Sequence, residues 1–124
     1  LVNTFLALAI DVETRRPKIS NVLGGLSGPA IRPIAVRMVW ECYQLVKIPV
    51  IGMGGISTAA DVLEFMIAGA TAVQVGTANF VDPFLWGTLV EGLCAYMDRH
   101  GLTRLAELTG TLDTTRREQA WTSS

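Results

Sequence analysis

The sequence is poor in the residues that bind metals and cross-link chains. It has two cysteines, Cys42 and Cys94, and one histidine, His100. These lie far apart with no paired C-x-x-C spacing, so no metal site is expected. Both cysteines fall inside helical apolar patterns, which reads as buried free thiols and fits a cytoplasmic origin. Excess positive charge is lacking as well: ten Lys and Arg face eleven Asp and Glu, for a net charge of −1. Without a basic patch, no nucleic-acid partner is expected. No apolar run reaches the ~18 residues of a membrane span. No basic stretch precedes an apolar one at the start, so no signal peptide is read. The missing initiator Met suggests a chain that starts inside a longer protein. Gly-Lys-Ser/Thr is absent, which excludes a P-loop. Gly52-Met53-Gly54-Gly55-Ile56-Ser57 lacks the last glycine of the dinucleotide fingerprint.

What is present is a high apolar content, half of the 124 residues, enough for one globular unit with a core. Val2 to Phe5 reads as the end of a strand that breaks at Asn3-Thr4. A charged loop follows, "DVETRRPK", and then the glycine-rich "NVLGGLSGPAIRP". A helix is predicted from Pro33 to about Val46, with apolar residues at 35, 38, 39, 42, 45 and 46. The strand "IPVIGMG" comes next. Ser57 or Thr58 caps a second helix over "AADVLEFMIA", with Asp61 in its first turn and Gly69 ending it. The strand "TAVQVG" leads to a third helix, with Asp82 as its cap and Pro83 at its first position, which stops at Gly101. A short helix from Arg104 to Leu108 precedes a polar tail.

Strands alternating with helices imply parallel strands joined by helical crossovers. The strands are continuous apolar runs, as expected for burial on both faces. The predicted fold class is α/β: about three βα units, matching the C-terminal part of a (β/α)8 TIM barrel, which takes ~250 residues in full. A small independent sheet is the alternative, though it would leave two edges exposed. Residues 1–112 are assigned to the barrel portion and 113–124 to a mobile tail.

In parallel α/β folds the ligand lies beyond the carboxyl ends of the strands. Gly54 and Gly55 end one strand, and Gly76 and Thr77 end the next. Glycines let backbone N–H groups converge on an anion, and a following helix adds its positive end. Two such endings in consecutive units favour one shared phosphate over tight turns alone. The cluster ending at Gly28 reads as a flexible connection, or as backbone contact with a flat ligand. Asn3 and Thr4 could hydrogen-bond a planar imide or carboxylate, or could be a turn-forming pair. Asp11 and Glu13 receive no role, and no residue makes a convincing general base.

Two segments, "NTFLALAIDVETRRPKISNVLGGLSGPAIRPIAVRMV" and "IPVIGMGGISTAADVLEFMIAGATAVQVGTANF", closely resemble the C-terminal part of the dihydroorotate dehydrogenase family. The match is to the bacterial type with a catalytic flavin subunit and a separate electron-transfer subunit (class 1B). The resemblance implies an FMN-binding barrel that oxidises dihydroorotate to orotate in pyrimidine synthesis. It also implies a homodimer joined to an iron-sulfur/FAD subunit that links it to NAD. Carried over, Asn3 and Thr4 contact orotate, Val2 lies beside the flavin, and Gly28 contacts it through its backbone. Gly54, Gly55, Gly76 and Thr77 grip the phosphate. The family's catalytic cysteine and its flavin-contacting lysine lie upstream of this stretch, so no catalytic residue is assigned here. Two other readings compete: a non-catalytic phosphate-ligand-binding half-barrel, and a dihydropyrimidine dehydrogenase-like flavoenzyme. The segment "AIDVETRRPKISNVLGGLSGPAI" is nearer the dihydroorotate pattern.

Overall fold

The computed structural model describes residues 4–115. Its centre is a parallel pair, β5 (Ile51–Met53) and β6 (Ala72–Gln74), in the register Ile51↔Ala72, Gly52↔Val73 and Met53↔Gln74. The crossover between them is α2 (Ala59–Ala68). Helix α1 (Arg32–Leu45), entered through a 3₁₀ turn at Pro29–Ile31, precedes β5. A five-residue α3 (Thr77–Val81) and the long α4 (Leu85–His100) follow β6, and a 3₁₀ turn at Leu105–Leu108 is the last regular element among the described residues. No helix among the described residues is long and apolar enough to cross a membrane.

The core is the seam where α1, α2 and α4 meet the parallel pair. It contains Ala35 and Val39 of α1, Val62, Phe65 and Met66 of α2, and Leu85 and Leu89 of α4, with Val50 and Ile56 flanking β5. Phe65 is fully buried, and its ring presses on β5 at Gly52. A Cβ at Gly52 would lie 2.5 Å from Phe65 Cδ1, so only glycine lets the strand approach this closely. Gly69 ends α2 at φ 123°. It and Gly110 leave no room for a Cβ because the Tyr43 ring is seated against both.

Asp61 joins α2 to α1. It is 3% exposed. Its Oδ2 accepts from Ser57 N (2.9 Å), Thr58 N (2.8 Å) and Ser57 Oγ (3.1 Å), while Thr58 Oγ1 accepts from Asp61 N at 3.2 Å. This is a capping box with aspartate as its acid. Asp61 Oδ1 also takes the Arg32 guanidinium through Nη1. Burial pushes the carboxyl pKa up, but the Ser57 and Thr58 hydrogen bonds outweigh it and hold the value below the ordinary 3.8.

Several expectations are corrected. The stretch before α1 is not a loop. β1 (Phe5–Ala7) pairs antiparallel with β4 (Gly24–Leu26), and β2 (Ile10–Asp11) pairs antiparallel with β3 (Arg16–Pro17). Asp11 Oδ1 takes the N–H groups of Glu13 (3.1 Å) and Thr14 (2.9 Å) to close the turn between β2 and β3. The glycine cluster is therefore partly strand, and the described strands are not all parallel. The first strand begins at Phe5, and the predicted part before Thr4 lies outside the described residues. Asp82 does not cap α4, because the chain turns helical at Thr77, directly after β6. Asp82 Oδ1 instead accepts from Phe84 N at 2.9 Å, and α4 starts at Leu85. Cys94 is exposed and Cys42 half-buried, because α4 buries the face carrying Leu85 and Leu89 and Cys94 points elsewhere. The parallel strands are covered on one face: Gly52 is buried beneath Phe65, while Ile51 and Met53 are 51% and 38% exposed on the other. The tail prediction for residues 116–124 lies outside the described residues.

Two outcomes follow from this packing. Gly52→Ala overpacks the Phe65 ring and should destabilise the protein by about 1–3 kcal/mol. Combined with Phe65→Leu, it should cost less than the sum of the two single changes, by at least ~0.5 kcal/mol. Strict additivity in denaturant melts would show that the ring does not rest on Gly52. The second outcome concerns Asp61, whose folded pKa lies below its unfolded one. Its stabilisation is therefore whole above the unfolded value and is lost as pH falls through the depressed folded value. Asp61→Asn should lower stability by about 2 kcal/mol at neutral pH. The gap to the parent should close in acid, below the ordinary carboxylate range. A gap of constant size across that range would remove the charge of Asp61 as its source.

Candidate functional site

Because β5 and β6 run parallel, their carboxyl ends open on the same edge. There a cleft of about 610 Å³ lies between the segment leading into α1, the β5–α2 turn and the start of α3. Met53, Ile56, Phe80 and Leu85 give it an apolar lining.

Three pieces of backbone shape the rim. Gly54 and Gly55, at φ 122° and 74°, carry the chain out of β5 in a conformation that side chains disfavour. Gly55 is also pressed against the entrance to α1: a Cβ there would lie 2.7 Å from Gly28 O and 2.9 Å from Arg32 N. Gly28, at φ 78°, is thus the direct neighbour of Gly55, and no atom stands within 4 Å of where its Cβ would be. Across the cleft, Gly76 caps α3 with φ −105°, and its Cβ position is likewise open. The first N–H groups of a helix have no acceptor within it. Those of Thr77 and Ala78 belong to residues that line the cleft.

The cleft therefore brings together Thr4, Gly28, Gly54, Gly55, Gly76 and Thr77. Val2 and Asn3 lie outside the described residues. Thr4 packs against Gly25, where an added Cβ would strike its hydroxyl. The N–H groups of Ser57 and Thr58, which cap α2 as expected, are held by the Asp61 carboxylate. The helix that begins at the cleft is α3.

Sequence reasoning missed Ser27, Gln74, Ala78 and Phe80 as lining residues. Gln74 had a visible signal, since it is the one polar side chain inside "AVQVG". It stands beside Met53 in the parallel register. No Lys or Arg is among the lining residues, and Asp82 is the one carboxylate. An anion placed here would be held by N–H dipoles and hydroxyls rather than by a counter-charge. Neither cysteine lines the cleft, and His100 is stacked on Tyr96 at the far end of α4, with ring centroids 4.2 Å apart.

The family model for dihydroorotate dehydrogenase matches residues 1–97. The dihydroorotate dehydrogenase B (NAD(+)) catalytic subunit of Geotalea uraniireducens is 58% identical over 114 residues, covering 92% of this chain and 37% of that protein. The protein of the same name from Porphyromonas gingivalis is 57% identical over 112 residues, covering 90% of this chain and 36% of its own length. Among solved structures, the DHODH of Eimeria tenella in complex with ferulenol aligns with a TM-score of 0.72 at 25% identity, over 88% of this chain and 29% of that one. Its ligand-free form gives the same score. The chain spans a little over a third of the length of the curated relatives it matches. A family match across most of the chain, together with relatives more than half identical to it, makes this chain a member of the dihydroorotate dehydrogenase family.

Proposed function

We propose that this chain forms the C-terminal part of a flavin-binding (β/α)8 barrel that oxidises dihydroorotate to orotate in pyrimidine synthesis. The carrying observation is the single cleft that gathers Gly28, Gly54, Gly55, Gly76 and Thr77 at the shared edge of two parallel strands. Its chemistry suits FMN in two ways. The apolar lining of Met53, Ile56 and Phe80 can take a flat aromatic ring. Gly76, open on its Cβ side, with the N–H groups of Thr77 and Ala78 beyond it, can take a phosphate. In this reading Gly54 and Gly55 form the other side of the phosphate seat, and Gly28 touches the flavin through its backbone. Thr4, with Asn3 beside it, binds orotate, and Val2 flanks the ring.

Bound flavin supplies an acceptor for two electrons, which the side chains of the cleft do not provide. The chain's own part is to hold and orient. The one carboxylate among the described lining residues, Asp82, is tied to Phe84 N, and this reading places the catalytic base in sequence beyond these residues. The relatives' shared name, a B-type (NAD(+)) catalytic subunit, supports a separate partner subunit; in this reading that subunit carries iron-sulfur and FAD centres and passes on the electrons. A homodimeric catalytic subunit in the cytoplasm completes the reading.

The test uses Gly76→Asp in a polypeptide of the relatives' full length that carries this sequence. Nothing stands within 4 Å of the Cβ position of Gly76, so it accepts a side chain without collision. Gly55 would not, since any Cβ there strikes Gly28 and Arg32. The new carboxylate would stand where the phosphate is placed. FMN affinity, read by quenching of flavin fluorescence, should fall at least about tenfold, with melting unchanged in the flavin-free form. Parent-like affinity in a folded Gly76→Asp protein would overturn the phosphate assignment.

A further inference from the structure

We infer that Arg32 and Asp61 form a clamp that sets the spacing of the cleft's two glycine walls, making Arg32 a positioning residue for the bound cofactor. The inference rests on the flavin reading of the cleft, and its basis is the way the walls are joined. One wall is the Gly28–Ile31 segment, which runs straight into α1 at Arg32. The other is the Gly54–Gly55 turn, which runs through Ser57 and Thr58 into α2. Where they meet, Gly55 is packed against Gly28 O and Arg32 N so tightly that a Cβ has no room. Such a contact stops the walls from closing further but does little to stop them from parting.

The attraction comes from one carboxylate. Asp61 Oδ2 holds the N–H groups of Ser57 and Thr58 at 2.9 and 2.8 Å, fixing the exit of the glycine turn. Its other oxygen, Oδ1, holds the guanidinium of Arg32, the first residue of α1. The turn and the α1 entrance are thus tied through a single buried side chain. Glu64 Oε2 stands 3.3 Å from Arg32 Nε, out of line for a hydrogen bond, and adds Coulombic pull. Arg32 does not line the cleft, so its guanidinium acts through the backbone of the two walls rather than on a ligand. Dipolar capture of a phosphate depends on N–H groups set within a few tenths of an ångström of their working positions, so loss of the clamp reaches the ligand.

A purely stabilising ion pair would lower the melting temperature and leave the folded site unchanged, and the experiment separates the two roles. In a polypeptide of the relatives' full length, Arg32→Met keeps the apolar stem and removes the guanidinium, while Arg32→Lys keeps the charge. Amide hydrogen exchange over the Gly54–Thr58 turn, and FMN affinity by fluorescence titration, are both measured well below the lowest melting temperature. Arg32→Met should speed exchange in the turn and weaken FMN binding, each by roughly tenfold, the scale of one lost charged hydrogen bond. Arg32→Lys should restore most of both. If Arg32→Met does not fold, Arg32→Gln replaces it, with the same expectations at smaller size. Parent-like exchange and affinity in a folded Arg32→Met or Arg32→Gln protein would overturn the clamp. If the unsubstituted protein binds no FMN, the flavin reading fails, and the exchange measurement alone still decides the clamp.

Discussion

The structure depends on how closely β5 approaches the helices that flank it. At Gly52 the strand lies against the Phe65 ring with no space for a Cβ, and three residues later the chain lies against the α1 entrance with equally little. These two contacts fix β5 between α2 and α1. β6 then pairs with β5 in parallel register, and the cleft appears at the only edge where both strands end together. Larger side chains at either glycine would push the strand away from its helices and widen the seam that Val39, Phe65 and Leu89 fill. Close-packed interiors tolerate little of that. The core and the cleft are therefore consequences of one constraint, and β5 is the element that links them.

The same packing explains the apolar surface left bare. Alternation along β5 sends Gly52 toward Phe65 and sends Ile51 and Met53 to the opposite face. Among the described residues nothing covers that face. Phe80, Val81 and Phe84, between β6 and α4, are more than four-fifths exposed, and so is Leu45 at the end of α1. Patches on this scale belong to surfaces that meet other protein. The chain spans little more than a third of its relatives' length, and in the barrel reading proposed above these patches are where further strands and helices would pack. In a closed barrel the inward faces of all strands fill one another, and Ile51 and Met53 are suited in size and chemistry to such a layer.

Legibility from sequence followed period and punctuation. Helices α1 and α2 were readable because their apolar spacing is regular and their ends carry Pro33, Thr58 and Gly69. The two parallel strands were readable as Val- and Ile-rich runs that stop at glycine. The family resemblance rested on the same stretches. The antiparallel excursion was not readable: β3 is Arg-Pro and β4 is Gly-Gly-Leu, poor strand formers that are paired only because the chain doubles back on itself. Helix α3 was hidden for a similar reason. Thr77 and Val81 are β-branched, and the short segment follows a strand with no punctuation except Gly76. Asp61 was read correctly as a first-turn acid. Its partner Arg32, 29 residues earlier, was not, because a contact between two helix starts leaves no local trace.

The electrostatics of the cleft then set what kind of anion grip is possible. With no Lys or Arg among the described lining residues, no side-chain cation meets an anion directly in the cleft. What remains are backbone N–H groups at the head of α3, the Thr77 hydroxyl and the glycine turn; the Ser57 hydroxyl already donates to Asp61 Oδ2. Dipoles of this kind act over a few ångströms and fall away quickly with misalignment. Asp82 raises the demand further, since its carboxylate lines the same cleft; its bond to Phe84 N keeps it tied to its own loop. A dipolar seat must therefore be rigid to be useful, whereas a cationic one can be loose. That requirement gives a physical reason for the rest of the arrangement: glycines packed without room for a Cβ, and a buried aspartate bound on both oxygens behind the turn.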